Sequence, residues 1–218
     1  MRDFPIFTTE YGVSSLTLKE IPYKKQAFIC IRDVQPGFFE EHLHECVSFC
    51  RMAGAEAIFA SGSALLQDYP LYTQVLELRG EAWVDREKLE SLFPVTETTA
   101  GTWRRIYNEA MAKVHNASTL EARDEGKLTQ APGAYFVHRE GQLLGIGWLE
   151  DTKLLAVAAT EKGAGERVMH TLMSLVEGAA MTIEVASTNE KALRLYEKLG
   201  FLPTREIAAW YRVDGCGL

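Results

Sequence analysis

Residues 154–178 read LLAVAATEKGAGERVMHTLMSLVEG, and the order of chemistry along this stretch decides the fold. The first seven residues are apolar apart from one threonine and run into a glycine turn, which predicts a buried strand. Lys162, Gly163, Ala164 and Gly165 form the turn. Beyond it, Val168, Leu172, Leu175, Val176 and Ala179 fall on one side of a helix that ends near Gly178. Strand, glycine turn and helix in this order let backbone approach a ligand closely at a helix start. The first N–H groups there have no intrahelical partner and can receive phosphate oxygens. A GxG by itself is an ordinary tight turn, so the flanking elements decide how to read it.

Upstream, residues 134–160 form three extended runs divided at Glu140-Gly141 and Glu150-Asp151, the pattern of an antiparallel meander. Before them, Trp103, Ile106, Tyr107, Ala110, Met111 and Val114 make an apolar stripe that predicts a helix over 99–114, with a shorter helix around 120–128. Downstream, MTIEVAS (181–187) reads as a strand. Ser187 and Glu190 stand at capping-box spacing before a helix that stops at Gly200, and a last strand covers about 206–213.

The helix NEKALRLYEKLGF sets Asn189, Ala192, Tyr196, Lys198, Gly200 and Phe201 in the pattern N..A...Y.K.GF. With the meander, the glycine turn and the long helix before it, residues 90–213 resemble the GNAT superfamily of acetyl-coenzyme A-dependent N-acetyltransferases. The resemblance implies an α/β (α+β) fold, a mixed sheet splayed at its centre and flanked by helices. It implies that LLAVAAT is the splayed strand, with Ala156, Val157, Ala158 and Ala159 pairing with the pantetheine arm of acetyl-coenzyme A. Lys162, Gly163, Ala164, Gly165, Glu166 and Arg167 would hold the pyrophosphate, Asn189 would contact the cofactor near the splay, and Tyr196 would stand beside the sulfur as general acid. The physics agrees: amides of the arm can imitate strand hydrogen bonds, and a diphosphate gains from a helix N-terminus and nearby cations. A phenol can protonate a leaving thiolate only if held close. Two departures stand out. Thr160 occupies a position where the family prefers Arg or Gln, and Glu161 and Glu166 add negative charge beside the proposed diphosphate, so affinity should rest on backbone donors.

The general base is not assigned from sequence: Glu184 lies inside a predicted strand and Glu150 reads as a solvated turn charge. His42, Cys46 and Cys50 recur at four-residue steps, a spacing that could align metal ligands. The same helix carries Leu43, Val47 and Phe49, and a buried apolar face explains it better, so no metal is expected.

The first 80 residues read strand (26–34), helix (38–53), strand (55–61), strand (72–80), with a link after Gly80. This places a smaller α/β unit at 1–84 and the acetyltransferase-like domain at 85–218. The order QAFICIRDVQPG, helix, AEAIFAS parallels LLAVAATEKGAG, helix, MTIEVAS. The first unit therefore reads either as a degenerate half of the same fold or as an unrelated α/β cap. It has Pro36-Gly37 where a GxG would be needed, so it should hold no cofactor and should instead pack against the second domain.

The chain has 218 residues, 47% hydrophobic and 24% charged, which fits a globular protein rather than a disordered or fibrous one. Its 23 Lys and Arg against 30 Asp and Glu give a charge of -7, so nucleic acid is not an expected partner. An export signal and a run of about 18 apolar residues are both missing, so no membrane association is expected, and cysteines without CxxC spacing suit a reducing compartment. A cytoplasmic location follows. The expected activity is acetyl transfer to a primary amine by direct attack in a ternary complex; the alternative is a non-catalytic binding or regulatory module of the same fold. The acceptor would be a small-molecule or peptide amine: polyamines or aminoglycosides suit the acidic balance, while peptide N-termini and amino acids stay open. A homodimer is compatible with the sequence. A dinucleotide-dependent oxidoreductase is disfavoured because the turn lacks GxGxxG and follows a meander.

Overall fold

The computed structural model describes residues 5–115, 117–130 and 133–215; Cys216, one of the cysteines noted above, lies outside them. The chain divides into two compact units, Met1–Gln74 with Glu206–Leu218, and Val75–Arg205. The division expected at 84/85 falls elsewhere because strand Leu71–Glu81 and strand Leu202–Arg212 each contribute residues to both units. Residues 75–84 thus belong with the second unit.

In the first unit, β1 (Ile6–Thr8), β2 (Gly12–Thr17), β3 (Gln26–Val34) and β4 (Ala57–Ser61) lie side by side in that order, with α1 (Ile21–Lys24) between β2 and β3 in sequence. Helix α2 (Phe39–Met52) buries Phe39, Leu43, Cys46, Val47 and Cys50 in a core shared with Leu16, Ile29 and Ile58. The β2 strand was not legible because its buried positions include a serine. Ser14 is fully buried, with its hydroxyl 2.8 Å from His42 Nε2, while His42 Nδ1 lies 2.8 Å from Thr9 Oγ1. The histidine face of α2 is thus satisfied by hydroxyls. Cys30, Cys46 and Cys50 are free thiols, and burial pushes Cys46 up to about 11 and Cys50 up to about 12.

In the second unit the sheet runs β5 (Leu71–Glu81), β10 (Ala180–Ala186), β9 (Lys153–Ala159), β8 (Gln142–Glu150), β7 (Ala134–Arg139), β6 (Ser91–Pro94). The expected meander is β7–β9. The segment read as a link contains β6, which pairs antiparallel with β7; a four-residue edge strand ending in proline gives little periodic signal. Helix α5 (Gly165–Met173) and helix α6 (Glu190–Lys198) pack on a core with Leu78, Leu154, Ile183 and Val185. Helix α3 (Ala100–Met111) and the short α4 (Glu125–Leu128) form a second core with Phe136, Ile146 and Ala156. Neighbouring β8 residues sort between the two faces as strand geometry requires. A Cβ at Gly147 would lie 2.2 Å from Leu172 Cδ1, so glycine there seats α5 directly on the sheet, while Ile146 turns to α3. Trp103, fully buried, donates from Nε1 to the Tyr135 carbonyl at 3.0 Å and fixes α3 against β7. The α5 helix gives way to a 3-10 turn at Ser174, whose hydroxyl donates to the Thr171 carbonyl at 2.7 Å. As a result Leu175, expected on the apolar side, is 41% exposed.

Candidate functional site

Strands β9 and β10 run parallel but are paired only at Lys153 with Thr182 and Leu154 with Ile183. Each continues, β9 to Ala159 and β10 to Ala186, so the two part toward their C-terminal ends. Beyond Leu154 the side of β9 turned toward β10 has backbone groups without a ladder partner among the described residues. Between the parted ends lies a cavity of about 690 Å³. The equivalent parallel pair in the first unit, β3 with β4, stays matched from Gln26 with Ala57 to Cys30 with Ser61 and opens no such gap.

Pairing with β8 is irregular at the same place. Trp148 faces Ala156 and Leu149 faces Leu154, which leaves Leu155 as an extra, bulged residue. Leu155, Ala156, Val157, Ala158 and Ala159 line the cavity, and so do Gly165, Asn189 and Tyr196. The structure therefore brings together eight residues from three elements that sequence separates by up to 41 positions. Gly163 has φ +89, in the left-handed region that glycine adopts freely, and it lets the chain turn into α5. A Cβ there would meet no atom within 4 Å, so the requirement is conformational rather than steric.

The charged half of the proposed pyrophosphate loop is arranged differently from the rest. Ala164 is buried and caps α5, its N–H donating to the Glu161 carbonyl at 3.2 Å. Glu161 is held by Gln142, and Thr160 donates from Oγ1 to the Leu143 carbonyl at 2.7 Å. Glu166 receives Lys88 Nζ on one oxygen and Lys198 Nζ on the other, both at 2.6 Å, and these ammonium groups pull its carboxyl down to about 2. Arg167 donates to Glu90 at 2.9 Å and does not line the cavity. Lys162 is exposed and has no ion pair among the described residues. Of the two cations expected to serve a diphosphate, one is free and the other is already partnered. The N–H groups at the start of α5 supply the remaining attraction for an anion.

Asn189 caps α6, its Oδ1 accepting from the Ala192 N–H at 3.3 Å. Tyr196 is 6% exposed and packs edge-on to Phe201, with ring centroids 6.3 Å apart. Its position is set by the helix end: Gly200 takes φ +85, and the Phe201 N–H returns to the Tyr196 carbonyl at 2.9 Å. Burial raises the phenol well above its ordinary value, so it stays protonated at neutral pH. The cavity also takes in Tyr107, His115 and Ser118, from α3 and the segment after it, and Glu184 of β10. Among the described residues Glu184 is the carboxylate that lines it, ion-paired with Lys153. Sequence alone leaves Glu184 unassigned because one acidic residue in an apolar strand carries no signal of which face it occupies. Among the described residues, no group of three or more His, Cys, Asp or Glu is placed to hold a metal, and no helix is long and apolar enough to cross a membrane.

No family model matches the chain. Over 109 residues, half of this chain, it is 28% identical to the N-alpha-acetyltransferase RimI of Mycobacterium tuberculosis; the match spans 66% of that protein, just under two thirds of its length. Among solved structures, a GCN5-related N-acetyltransferase from Sphaerobacter thermophilus superposes with a TM-score of 0.54 at 12% identity, covering 92% of this chain and 75% of that one. A GNAT-family acetyltransferase from Colwellia psychrerythraea gives 0.51 at 14% identity, covering 95% and 84%. A GCN5-related N-acetyltransferase from Kribbella flavida gives 0.57 at 11%, covering 94% and 57%. The structural likenesses establish the fold, a mixed sheet flanked by helices like that of the GCN5-related N-acetyltransferases, and the sequence relative is itself an N-alpha-acetyltransferase.

Proposed function

We propose that this protein transfers an acetyl group from acetyl-coenzyme A to a primary amine. The observation that carries the reading is the parting of β9 from β10 after Leu154 and Ile183, which leaves a strand edge open along a cavity with Tyr196 at its wall. A pantetheine arm is a chain of amides separated by methylenes, and it can take the place of the missing strand. The unpaired groups of Val157 and its neighbours would provide its hydrogen bonds. The apolar lining from Leu155, Val157 and Ala158 suits the methylenes. Acetyl-coenzyme A supplies an activated thioester; what the chain must add is orientation and two proton positions.

Tyr196 holds the first proton. Its hydroxyl has no hydrogen-bond partner among the described residues, borders the cavity and remains neutral, so it can donate to a departing thiolate. Glu184, on the same cavity, is placed to accept the proton of the attacking ammonium. Backbone N–H groups on the open edge of β9 would polarise the carbonyl under attack.

The test is steady-state thiol release with a panel of amines, in the parent chain and in Tyr196→Phe. The variant keeps the ring in its contact with Phe201 and removes only the proton. Turnover should fall by about 10²–10⁴-fold while acetyl-coenzyme A still binds. Equal turnover in a variant with the parent's melting temperature would reduce Tyr196 to a packing residue. Binding of acetyl-coenzyme A with no turnover on any amine would support a binding module instead.

A further inference from the structure

The antiparallel register of β5 and β10 sets Glu184 directly opposite Glu77 and Thr182 directly opposite Arg79. Directly opposed residues, and residues two apart along a strand, lie on one face of a sheet, so these four side chains form a single patch. Two carboxylates facing each other across strands repel unless they are partnered differently. Here they are. Glu77 is 6% exposed and accepts from Arg79 Nε at 3.0 Å, Arg205 Nη2 at 2.9 Å and Thr204 Oγ1 at 3.2 Å. Arg205 above all holds that carboxyl below the usual range. Glu77 is therefore saturated and serves as the anchor of two guanidinium groups. Their side chains remain 61% and 65% exposed, and each retains donors that Glu77 does not use.

A molecule that extends from the cavity over β5, beyond the cavity lining itself, thus meets two poles. Glu184, with Lys153 as its resident counter-ion, is the anionic pole at the cavity; Arg79, diagonally across on β5 at about 7–8 Å, and Arg205, one strand further on in Leu202–Arg212, form the cationic pole beside it. We propose that the acceptor is an amine that also carries a carboxylate, its amino group at Glu184 and its carboxylate on Arg79 and Arg205. The inference rests on the acetyl-transfer reading above. A guanidinium fork matches a carboxylate in shape as well as in charge. A diamine would bring its second ammonium against two cations, and a simple alkylamine would leave them without a partner. The pattern points away from the polyamines that the acidic composition of the whole chain suggests, because specificity is set by the charges at the site and not by their total.

A matched series tests this with the full chain and acetyl-coenzyme A: 5-aminopentanoate, pentylamine and 1,5-diaminopentane, which share a five-carbon chain and differ in the far end. The expected result is a kcat/KM for 5-aminopentanoate at least about fivefold above pentylamine, expressed in KM and weakened by salt, with the diamine poorest. Arg205→Gln should bring the ratio of the first two to about one, and Arg205→Lys should keep part of the preference, in variants whose melting temperatures match the parent. Equal kcat/KM across the series, preference for the diamine, or a preference unchanged in Arg205→Gln would overturn the acceptor assignment and leave acetyl transfer standing. Failure to acetylate any of the three, or any other amine of a broad panel, would overturn both readings.

Discussion

Replacing Glu166 by Gln separates two contributions that meet at the start of α5. In the parent, Lys88 and Lys198 each donate to one oxygen of this carboxylate, and its carboxyl drops from 4.5 to about 2. A difference of that size corresponds to about 3 kcal/mol. Both ammonium groups reach solvent, Lys198 with 64% of its side chain, so about 1–2 kcal/mol survives screening. The folded state holds the carboxyl below its unfolded value, so this stabilisation is complete above about pH 4.5 and is lost as pH falls toward 2. Urea denaturation at pH 7 should show Glu166→Gln less stable by about 1–2 kcal/mol, and the difference should shrink to well under half at pH 3.5. The same substitution frees Lys198 beside the glycine turn, while Lys88 keeps its ion pair with Asp85 at 3.2 Å. If the diphosphate lies there, affinity for coenzyme A should rise about fivefold at low salt, and less at high salt. A variant as stable as the parent at pH 7, or a deficit that does not change with pH, would refute the electrostatic reasoning. A variant that binds coenzyme A no better would refute the placement of the diphosphate.

Glu184→Gln should lower kcat by about 10²-fold or more while acetyl-coenzyme A binding is kept, and unchanged turnover would remove Glu184 as the base. A fragment of residues 85–218 lacks β5, which pairs with β10 from Glu81 to Val75, so it should be aggregated or inactive where the intact chain is not; an active monomeric fragment would contradict that pairing. In the first unit, burial pushes the imidazole of His42 down, with Glu45 opposing, while both ring nitrogens face hydroxyls. A folded value below the unfolded one makes His42 stabilising above about pH 6.5, with the contribution lost as pH falls below it. Thermal unfolding between pH 7.5 and 5.5 should show a loss that His42→Gln lessens, and parallel profiles would count against the assignment.

The second unit was largely legible in the sequence because its signals are local. The glycine turn, the capped helix with Tyr196 and the two turn dipeptides of the meander each fix an element by short-range chemistry, and α3 and the meander stand close to where periodicity puts them, as β3 and α2 do in the first unit. What escaped depends on contacts far apart in the chain. β2 is hidden because Ser14 is buried by its bond to His42, 28 residues away. β6 is hidden because an edge strand needs only its partner β7. The unit boundary was misplaced because β5 and β11 (Leu202–Arg212), each continuous in sequence, serve both units. At the site, residue types and their order placed the strand, the turn and the helix that carries Tyr196. They could not reveal that Arg167 is taken by Glu90 or that Glu166 is neutralised by two lysines, since those partners lie between 32 and 78 residues away. Glu184 gained its meaning only from the parting of β9 and β10 beside it.

Isothermal titration of the intact chain with acetyl-coenzyme A, beside Gly163→Val, tests the central claim most directly. Gly163 holds φ +89, which a β-branched residue does not adopt without strain, so the variant should lose the turn that admits the diphosphate while the distant cores stay intact. The expected result is one site per chain with a dissociation constant on the order of 1–100 μM, weakened at least about tenfold in a variant that remains folded. Absence of binding in the parent, two sites per chain, or equal affinity in folded Gly163→Val would contradict a single acetyl-coenzyme A site between β9 and β10.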